Sequence, residues 1–125
     1  MPVTAAPLQV LRSLAFLHAL DLIHCDLKPE NIMVADFERP RVKIIDLGSS
    51  CFRHDRLATY VQSRSYRAPE VVLKSPYGPK IDIWSLGAIL AELVSGSVLF
   101  PVRLDSTAAN GCRSLSTVPR VRSVL

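Results

Sequence analysis

The spacing of apolar positions predicts a helix near the start of the chain. Between Pro7 and Leu20, apolar residues recur every three or four positions, as they do along one face of an α-helix. The positions that form this stripe are Leu8, Leu11, Ala15 and Leu22, widened by Leu14, Phe16 and Leu17. Because so much of its surface is apolar, we expect the helix to be substantially buried.

Two short runs rich in β-branched residues predict a β-hairpin. They are NIMV at residues 31–34 and VKII at residues 42–45, joined by the polar, proline-containing segment ADFERPR. Residues 46–70, from DLG to APE, show no sustained period, which predicts a long ordered or switchable loop. Long loops in compact domains are usually functional.

A second helix is predicted from Ile81 to Ser95, with Gly96 as its terminator. It has almost no polar face, because its apolar positions are Ile81, Ile83, Trp84, Leu86, Ile89, Leu90, Leu93 and Val94. We therefore expect a helix in the protein core. The predicted fold class is mainly α with a small β-hairpin.

Composition and charge narrow the possible functions. The 125 residues are 49% hydrophobic, which is typical of one modest globular domain. Residues 102–125 contain four arginines and one aspartate and so carry three of the four net positive charges. Clustered surface charge is usually just solvated. We therefore expect no nucleic-acid partner.

Cysteine usage and hydropathy suggest a compartment. The three cysteines form no even framework, and the N-terminus lacks the pattern of a secretion signal. The longest apolar-rich stretch, IDIWSLGAILAELV, is too short for a membrane span and contains Asp82 and Glu92. We expect an intracellular protein, cytoplasmic or nuclear, with no membrane contact.

The segment HCDLKPEN at residues 24–31 concentrates candidate chemistry on a loop, since proline disfavours a helix interior. Asp26 precedes one predicted hairpin strand and Asp46 follows the other, so both carboxylates lie at the same end, beside Asn31. Hard oxygen ligands of this kind suit Mg²⁺. Lys28 is placed to contact a transferring phosphate. The arrangement indicates phosphoryl transfer.

Four ordered motifs resemble those of the eukaryotic protein kinases. HCDLKPEN at 24–31 resembles the catalytic loop, DLG at 46–48 the metal-binding motif, APE at 68–70 the end of the activation segment, and DIWSLG at 82–87 the start of the central core helix. Within that family the chain resembles the dual-specificity tyrosine-regulated (DYRK) kinases, in the cysteine after the catalytic-loop histidine and in the segments GSSCF and YVQSRSYRAPEV. The implied fold is a partial protein-kinase C-terminal lobe.

The resemblance implies a role for each motif residue. Asp26 would be the catalytic base, Lys28 a phosphate contact, and Asn31 and Asp46 the Mg²⁺ ligands. The cofactors would be ATP and Mg²⁺, and the partners protein substrates. Without the motif set, Asp26 and Asp46 would be read as ordinary turn residues.

The activation segment carries a predicted phosphosite. Tyr60 matches a tyrosine that such kinases phosphorylate on themselves before acting on serine and threonine. Arg64 and Arg67 would bind its phosphate. The alternative for Tyr60 is a half-buried aromatic side chain. Ala58 replaces a first tyrosine that many relatives carry.

Four further residues have structural roles by resemblance. Asp82 would bond the catalytic-loop backbone, and Trp84 would fill the core beneath it. His24 would pack on Leu47, which replaces the usual phenylalanine, and Glu70 would pair with an arginine that we do not recognise in this chain.

Two other kinds of site, a thiol-catalysis triad and a zinc site, would use some of the same residues. His24, Cys25 and Asp26 are adjacent and cannot converge as a thiol-catalysis triad must. His24, Cys25, Cys51 and His54 contain zinc-ligand types, but their spacing matches no compact zinc finger.

The resemblance covers residues 7–101, which we predict to be a kinase-domain fragment, and residues 102–125 are predicted to be a non-matching disordered tail. No glycine-rich loop, strand lysine or helix glutamate precedes Leu8. We therefore expect a serine/threonine kinase by motif whose isolated chain is inactive. The alternative is a non-catalytic interaction module derived from a kinase C-lobe.

Overall fold

The computed structural model describes residues 5–36, 41–55 and 58–102 of the chain. Three α-helices, four short strands and two 3₁₀ turns are present in these ranges. The helices are α1 (Ala5–Ala19), α2 (Pro69–Val72) and α3 (Lys80–Ser95). The strands are β1 (Leu22–Ile23), β2 (Ile32–Asp36), β3 (Arg41–Ile44) and β4 (Cys51–Phe52). The 3₁₀ turns are Pro29–Asn31 and Arg64–Tyr66.

The predicted fold class is confirmed, since two long helices flank an antiparallel hairpin. Strands β2 and β3 pair with Ile32 opposite Ile44 and Val34 opposite Val42. The predicted turn ADFERPR is shorter in the structure, since β2 extends to Asp36 and β3 begins at Arg41. Residues 37–40 of that turn and residues 103–125 of the predicted tail lie outside the described residues. The predicted boundary at residue 101 stays a prediction.

A second two-stranded sheet was not predicted. After α1 ends, the chain turns at Asp21, whose φ is 57°, and enters strand β1. Strand β1 pairs antiparallel with β4, with Ile23 opposite Cys51. Leu22, which we assigned to the helix stripe, therefore belongs to a strand. This sheet brings the start of the catalytic loop against the segment that follows Asp46.

Helix α1 is less buried than predicted, and its buried stripe is a different one. Val10 and Leu14 are buried, whereas Leu8, Leu11 and Phe16 are exposed. The helix packs against β3, β1 and α3, and it contributes Val10 and Leu14, which lie four positions apart on one face, to the core. That core also contains Leu27, Val42, Tyr66, Leu86, Ala88 and Ile89.

Helix α3 buries one face only, so the prediction of a core helix holds for that face and not for the rest of its apolar surface. Ile81, Leu86 and Ile89 are buried, whereas Leu93 and Val94 are exposed. The prediction that Trp84 fills the core is also wrong. Its side chain is 40% exposed and stacks on Phe100 with ring centroids 5.9 Å apart.

The predicted loop at residues 46–70 is largely confirmed, although short elements interrupt it. Strand β4, the turn Arg64–Tyr66 and the first residues of α2 lie within it. Across the part of the chain that the structure describes, no helix is long and apolar enough to cross a membrane.

Candidate active site

A fully buried carboxylate fixes the start of the catalytic loop. Asp82, on the first turn of α3, has no solvent exposure. Its Oδ2 accepts from the backbone N–H of His24 at 2.9 Å, and its Oδ1 accepts from the backbone N–H of Cys25 at 3.1 Å. The predicted bond between Asp82 and the catalytic-loop backbone is confirmed.

The same carboxylate has a partner that the sequence analysis missed. Nε2 of His18, in the last turn of α1, lies 2.8 Å from Oδ2 of Asp82. The two residues are 64 positions apart, so no local spacing indicated the pair. The contact joins both long helices to the catalytic loop.

Asp26, the predicted base, lies in a polar cage. Lys28 Nζ donates to its Oδ2 at 2.8 Å, and Ser63 donates to its Oδ1 from both the hydroxyl, at 2.7 Å, and the backbone N–H, at 3.1 Å. Burial works to raise the pKa of Asp26, but hydrogen bonds from Lys28 and Ser63 outweigh it and lower that pKa below its ordinary value. The carboxylate is therefore ionised at neutral pH.

The pKa of Lys28 shifts in the opposite direction to that of Asp26. The hydrogen bond to Asp26 raises the pKa of Lys28 above its ordinary value. The ammonium group thus stays charged beside the carboxylate. Ser63 was not among the predicted site residues, because a serine 37 positions from Asp26 gives no local signal.

His24 couples the two halves of the site. Its Nε2 donates to the carbonyl oxygen of Ile45 at 3.1 Å, and its Nδ1 accepts from the backbone N–H of Asp26 at 3.3 Å. Both bonds are satisfied by the neutral Nε2–H tautomer. The predicted packing of His24 on Leu47 stays a prediction, and the Leu47 side chain is half exposed.

Asn31 and Asp46, the predicted metal ligands, are joined through the backbone. Asn31 Nδ2 donates to the carbonyl of Asp26 at 2.8 Å, and the Asn31 carbonyl accepts from the N–H of Ile45 at 2.9 Å. Asp46 is exposed, and its Oδ1 accepts from the N–H of Gly48 at 3.1 Å.

These contacts leave oxygen atoms for a hard cation. The amide nitrogen of Asn31 donates to the Asp26 carbonyl, so the amide oxygen of Asn31 points away from that hydrogen bond. The hydrogen bond from Gly48 to Asp46 involves Oδ1, which leaves Oδ2 of Asp46 for a cation. One carboxylate and one amide oxygen, completed by phosphate and water, suit Mg²⁺. The residues present therefore fit the metal that the resemblance implies.

The four candidate zinc ligands, His24, Cys25, Cys51 and His54, do not converge. His24 uses both ring nitrogens as described, and His54 pairs with Asp21 at 3.3 Å on the surface. Sγ of Cys25 contacts Sγ of Cys51 at 3.3 Å. Among the described residues, no group of three or more His, Cys, Asp or Glu side chains is arranged to bind a metal.

Tyr60 lies on the surface with both predicted arginines beside it. Its side chain is 68% exposed, and the Arg67 guanidinium lies 4.2 Å from its ring centroid. Hydrogen bonds from Arg64 and then Arg67 lower the pKa of the Tyr60 hydroxyl. The half-buried alternative for Tyr60 is therefore wrong, and both guanidinium groups lie near its side chain.

Gln62 anchors the segment between Tyr60 and α2, and the sequence analysis did not identify it. Its φ is 68°, its Nε2 donates to the Ile81 carbonyl and to Ser85 Oγ, and its Oε1 accepts from Ala68 N. Its backbone N–H donates to the Cys25 carbonyl at 2.9 Å. The segment is thereby fixed to both the catalytic loop and α3.

Glu70 lies at the rim of an apolar groove. The groove has a volume of about 670 Å³ and is lined chiefly by Trp84, Leu99 and Phe100 beside α3. No ion pair of Glu70 occurs within the described ranges. The predicted pairing of Glu70 with an arginine stays a prediction.

Comparison with known proteins identifies what this site is similar to. A family model described as protein kinase domain matches residues 3–123. The chain is 58% identical over 92 residues to the human dual specificity tyrosine-phosphorylation-regulated kinase 3, covering 74% of this chain and 16% of that protein.

Two other relatives come from distant organisms. A putative dual specificity tyrosine-phosphorylation-regulated kinase 3 homolog of Drosophila melanogaster is 56% identical over 97 residues, which is 78% of this chain and 12% of that protein. The serine/threonine-protein kinase ppk5 of Schizosaccharomyces pombe is 54% identical over 94 residues, which is 75% of this chain and 11% of that protein. The chain thus spans a small part of the length of each relative.

Proposed function

Because the chain belongs to the protein kinase domain family, we propose that its site transfers the γ-phosphate of ATP to protein hydroxyls, as part of a serine/threonine kinase of the dual-specificity type. The observation that carries the proposal is the cage around Asp26. Lys28 and Ser63 bind its carboxylate, and buried Asp82 binds the loop that presents it. The proposed partners are ATP and protein substrates inside the cell.

The chemistry follows from the charge state of Asp26. An ionised carboxylate on a fixed loop can orient a substrate hydroxyl and accept its proton. Lys28 is charged and lies beside that carboxylate, so it can contact the phosphate during transfer. Fixing both groups in advance avoids the cost of ordering them during the reaction.

Asn31 and Asp46 are the residues that would bind Mg²⁺. When bound, the ion neutralises phosphate charge. The chain itself fixes the position of one ligand relative to the other, through the hydrogen bond from the Ile45 N–H to the Asn31 carbonyl. His24 also helps to fix the backbone next to Asp46, since its ring donates to the Ile45 carbonyl.

Tyr60 is the tyrosine that a dual-specificity kinase of this type would phosphorylate on itself. An exposed hydroxyl beside Arg64 and Arg67 is accessible for phosphorylation, and the product would form charge-assisted hydrogen bonds with both guanidinium groups. Arg67 also donates to the carbonyls of Val61 and Gln62, so a phosphate bound there would be connected to the anchored segment.

The competing candidate is a non-catalytic interaction module. The apolar groove beside Trp84 and the exposed apolar residues at the end of α3 favour it, because large exposed apolar patches often mark protein contacts. A pure interaction module has no need to bind nucleotide. Binding of Mg²⁺-ATP by the chain would therefore favour the kinase over the module.

The decisive experiment is a chimaera. The matched residues of the human relative are replaced by those of this chain, and phosphate transfer to a protein substrate is measured. We expect activity in the chimaera and a loss of at least about a hundredfold in its Asp26→Asn variant, because the base is removed.

The matched control is Asp55→Asn in the same chimaera. Asp55 is exposed, and its carboxylate accepts a local hydrogen bond from the backbone N–H of Phe52, so this variant should retain full activity. A folded chimaera with no activity, or one whose activity survives Asp26→Asn, would contradict the proposal. Folding is checked separately by thermal denaturation.

A further inference from the structure

A groove with a positively charged rim lies between helix α1 and strand β3. Its volume is about 420 Å³, and it extends to Leu47, which directly follows Asp46. We call it the basic groove, and it is lined chiefly by Arg12, Phe16, Leu17, Lys43, Ile44 and Leu47. A volume of this size lies within the range that proteins use to bind small molecules.

The protein core holds the two walls of the basic groove together. Val10 and Leu14 of α1 are in the same core cluster as Val42 of β3. The backbone N–H of Val42 also donates to the side-chain oxygen of Gln9 at 3.0 Å, which joins the strand to the helix a second time. The groove is therefore formed before a ligand binds, so binding does not carry the cost of ordering its walls.

The inner surface of the basic groove is largely apolar and open to solvent. The side chain of Phe16 is 66% exposed and that of Leu47 is 47% exposed. Leu17 and Ile44 are half-buried between them. A ligand that covers these side chains removes apolar surface from water, which is the driving force for binding. A purely ionic ligand such as inorganic phosphate gains nothing from this surface.

Two cationic side chains line the basic groove, and none of its described lining residues is acidic. Arg12 is exposed on α1, and Lys43 is exposed on β3. Within the part of the chain that the structure describes, neither forms an ion pair. Cations beside apolar surface favour a ligand that is negatively charged at one end and apolar elsewhere, because each part then meets its complement.

The apolar groove beside Trp84 differs from the basic groove in its charges. Glu70 and Lys80 both line it, so it carries one charge of each sign. Its charges therefore do not select an anion, although its volume of about 670 Å³ admits the same apolar groups. Charge complementarity thus distinguishes the two grooves for ligands that share one apolar body.

We propose that the basic groove binds a small amphipathic carboxylate, a molecule with an aromatic or aliphatic body and one carboxylate group. The body lies against Phe16, Leu17 and Leu47, and the carboxylate lies near Arg12 and Lys43. Because both cations are exposed, each contributes modestly to the affinity. The preference for an anion therefore decreases as the salt concentration rises.

The test compares three naphthalene compounds that share an apolar body and differ in charge. They are naphthoate, naphthylmethanol and naphthylmethylammonium, and each is titrated into the whole chain at low salt. Dissociation constants and positions of binding come from backbone amide shifts in nitrogen-15 NMR. We expect naphthoate to bind at least about fivefold more tightly than the other two, with shift changes at residues 12–17 and 43–47.

A pair of matched double variants separates the groove from net charge. In Arg12→Gln with Lys43→Gln, the affinity for naphthoate should fall about fivefold, to that for the alcohol, because the complementary charges are removed. Arg53→Gln with Lys74→Gln removes the same charge from exposed positions outside the basic groove and should leave the affinity unchanged. Urea denaturation checks that both variants fold like the parent.

Three results would overturn the proposal. The first is an equal loss of naphthoate affinity in the two double variants. The second is equal affinity of the parent for naphthoate and naphthylmethanol. The third is a folded parent that shows no saturable naphthoate binding, or binding only beside Trp84. None of these readouts measures phosphate transfer, so the outcome is independent of the proposed kinase activity.

Discussion

At the scale of single residues, one buried carboxylate determines where the catalytic loop lies. Asp82 accepts hydrogen bonds from two consecutive backbone N–H groups, and Nε2 of His18 lies 2.8 Å from its Oδ2. Burying a carboxyl group costs free energy unless such hydrogen-bond partners are present. The loop geometry and the burial of Asp82 therefore depend on each other.

We predict that Asp82→Asn destabilises the chain by about 3 kcal/mol, since the uncharged amide presents a donor to groups that require an acceptor. The measurement is the free energy of unfolding from urea denaturation. Asp21→Asn is the matched control, because Asp21 pairs with His54 at an exposed site, and should change stability by less than about 0.5 kcal/mol. Equal effects of the two substitutions would contradict the role assigned to Asp82.

A second prediction concerns the protonation of Asp26. Removing the Ser63 hydroxyl in Ser63→Ala deletes one of the hydrogen bonds that lower the pKa of this carboxyl. That pKa should rise toward its ordinary value, as measured by carbon-13 NMR titration of the carboxyl carbon. Ser50→Ala, which removes a hydroxyl bonded to the Leu47 carbonyl on the surface, should leave it unchanged.

At the scale of elements, helix α3 shows how backbone conformation ends a helix. Gly96 has a φ of 73°, a left-handed conformation that glycine adopts without strain. Its N–H donates to the Glu92 carbonyl at 2.8 Å and so satisfies one of the free carbonyls of the last turn. The chain then turns back and places Phe100 on Trp84.

Two glycines of this region allow a matched prediction. Gly96→Ala should destabilise the chain by about 1 kcal/mol through strain alone, because no atom lies within 4 Å of the added Cβ. Gly87→Ala, inside α3 and equally unobstructed, should stabilise it by about 0.5–1 kcal/mol. Thermal and urea denaturation measure both. The same sign for both substitutions would contradict the left-handed assignment.

At the scale of the whole molecule, the pair of Asp26 and Lys28 makes stability depend on pH. The folded-state pKa of Asp26 lies below its ordinary value of 3.8, so the folded state binds fewer protons than the unfolded state in acid. The contribution of Asp26 to the free energy of unfolding is fully present when the pH is above the ordinary pKa of 3.8. It is lost as the pH falls through the folded-state pKa.

We therefore predict that the free energy of unfolding decreases as the pH is lowered below about 5. The Lys28→Met variant should show a shallower decrease, since Asp26 loses the partner that lowers its pKa. Lys43→Met is the control, because Lys43 is exposed on β3, and should follow the parent. A parent profile that stays flat in acid would contradict the prediction.

Local patterns predicted the elements well, and they predicted burial poorly. The spacing in α1 identified a helix, yet its buried residues are Val10 and Leu14 and not Leu8 and Leu11. An apolar stripe that covers much of a helix does not specify which line packs against neighbours. For the same reason, Trp84 was assigned to the core and lies at the surface.

By itself, the sequence determined the two long helices, the hairpin, the kinase motifs and the placement of Asp26, Asn31 and Asp46 at one end of that hairpin. These follow from short-range spacing and from motif order. Only the tertiary structure decided that His18 contacts Asp82, that Ser63 binds Asp26, and that Cys25 touches Cys51. Each of these pairs is far apart along the chain, and contacts of that kind depend on how the elements pack, which no local pattern encodes.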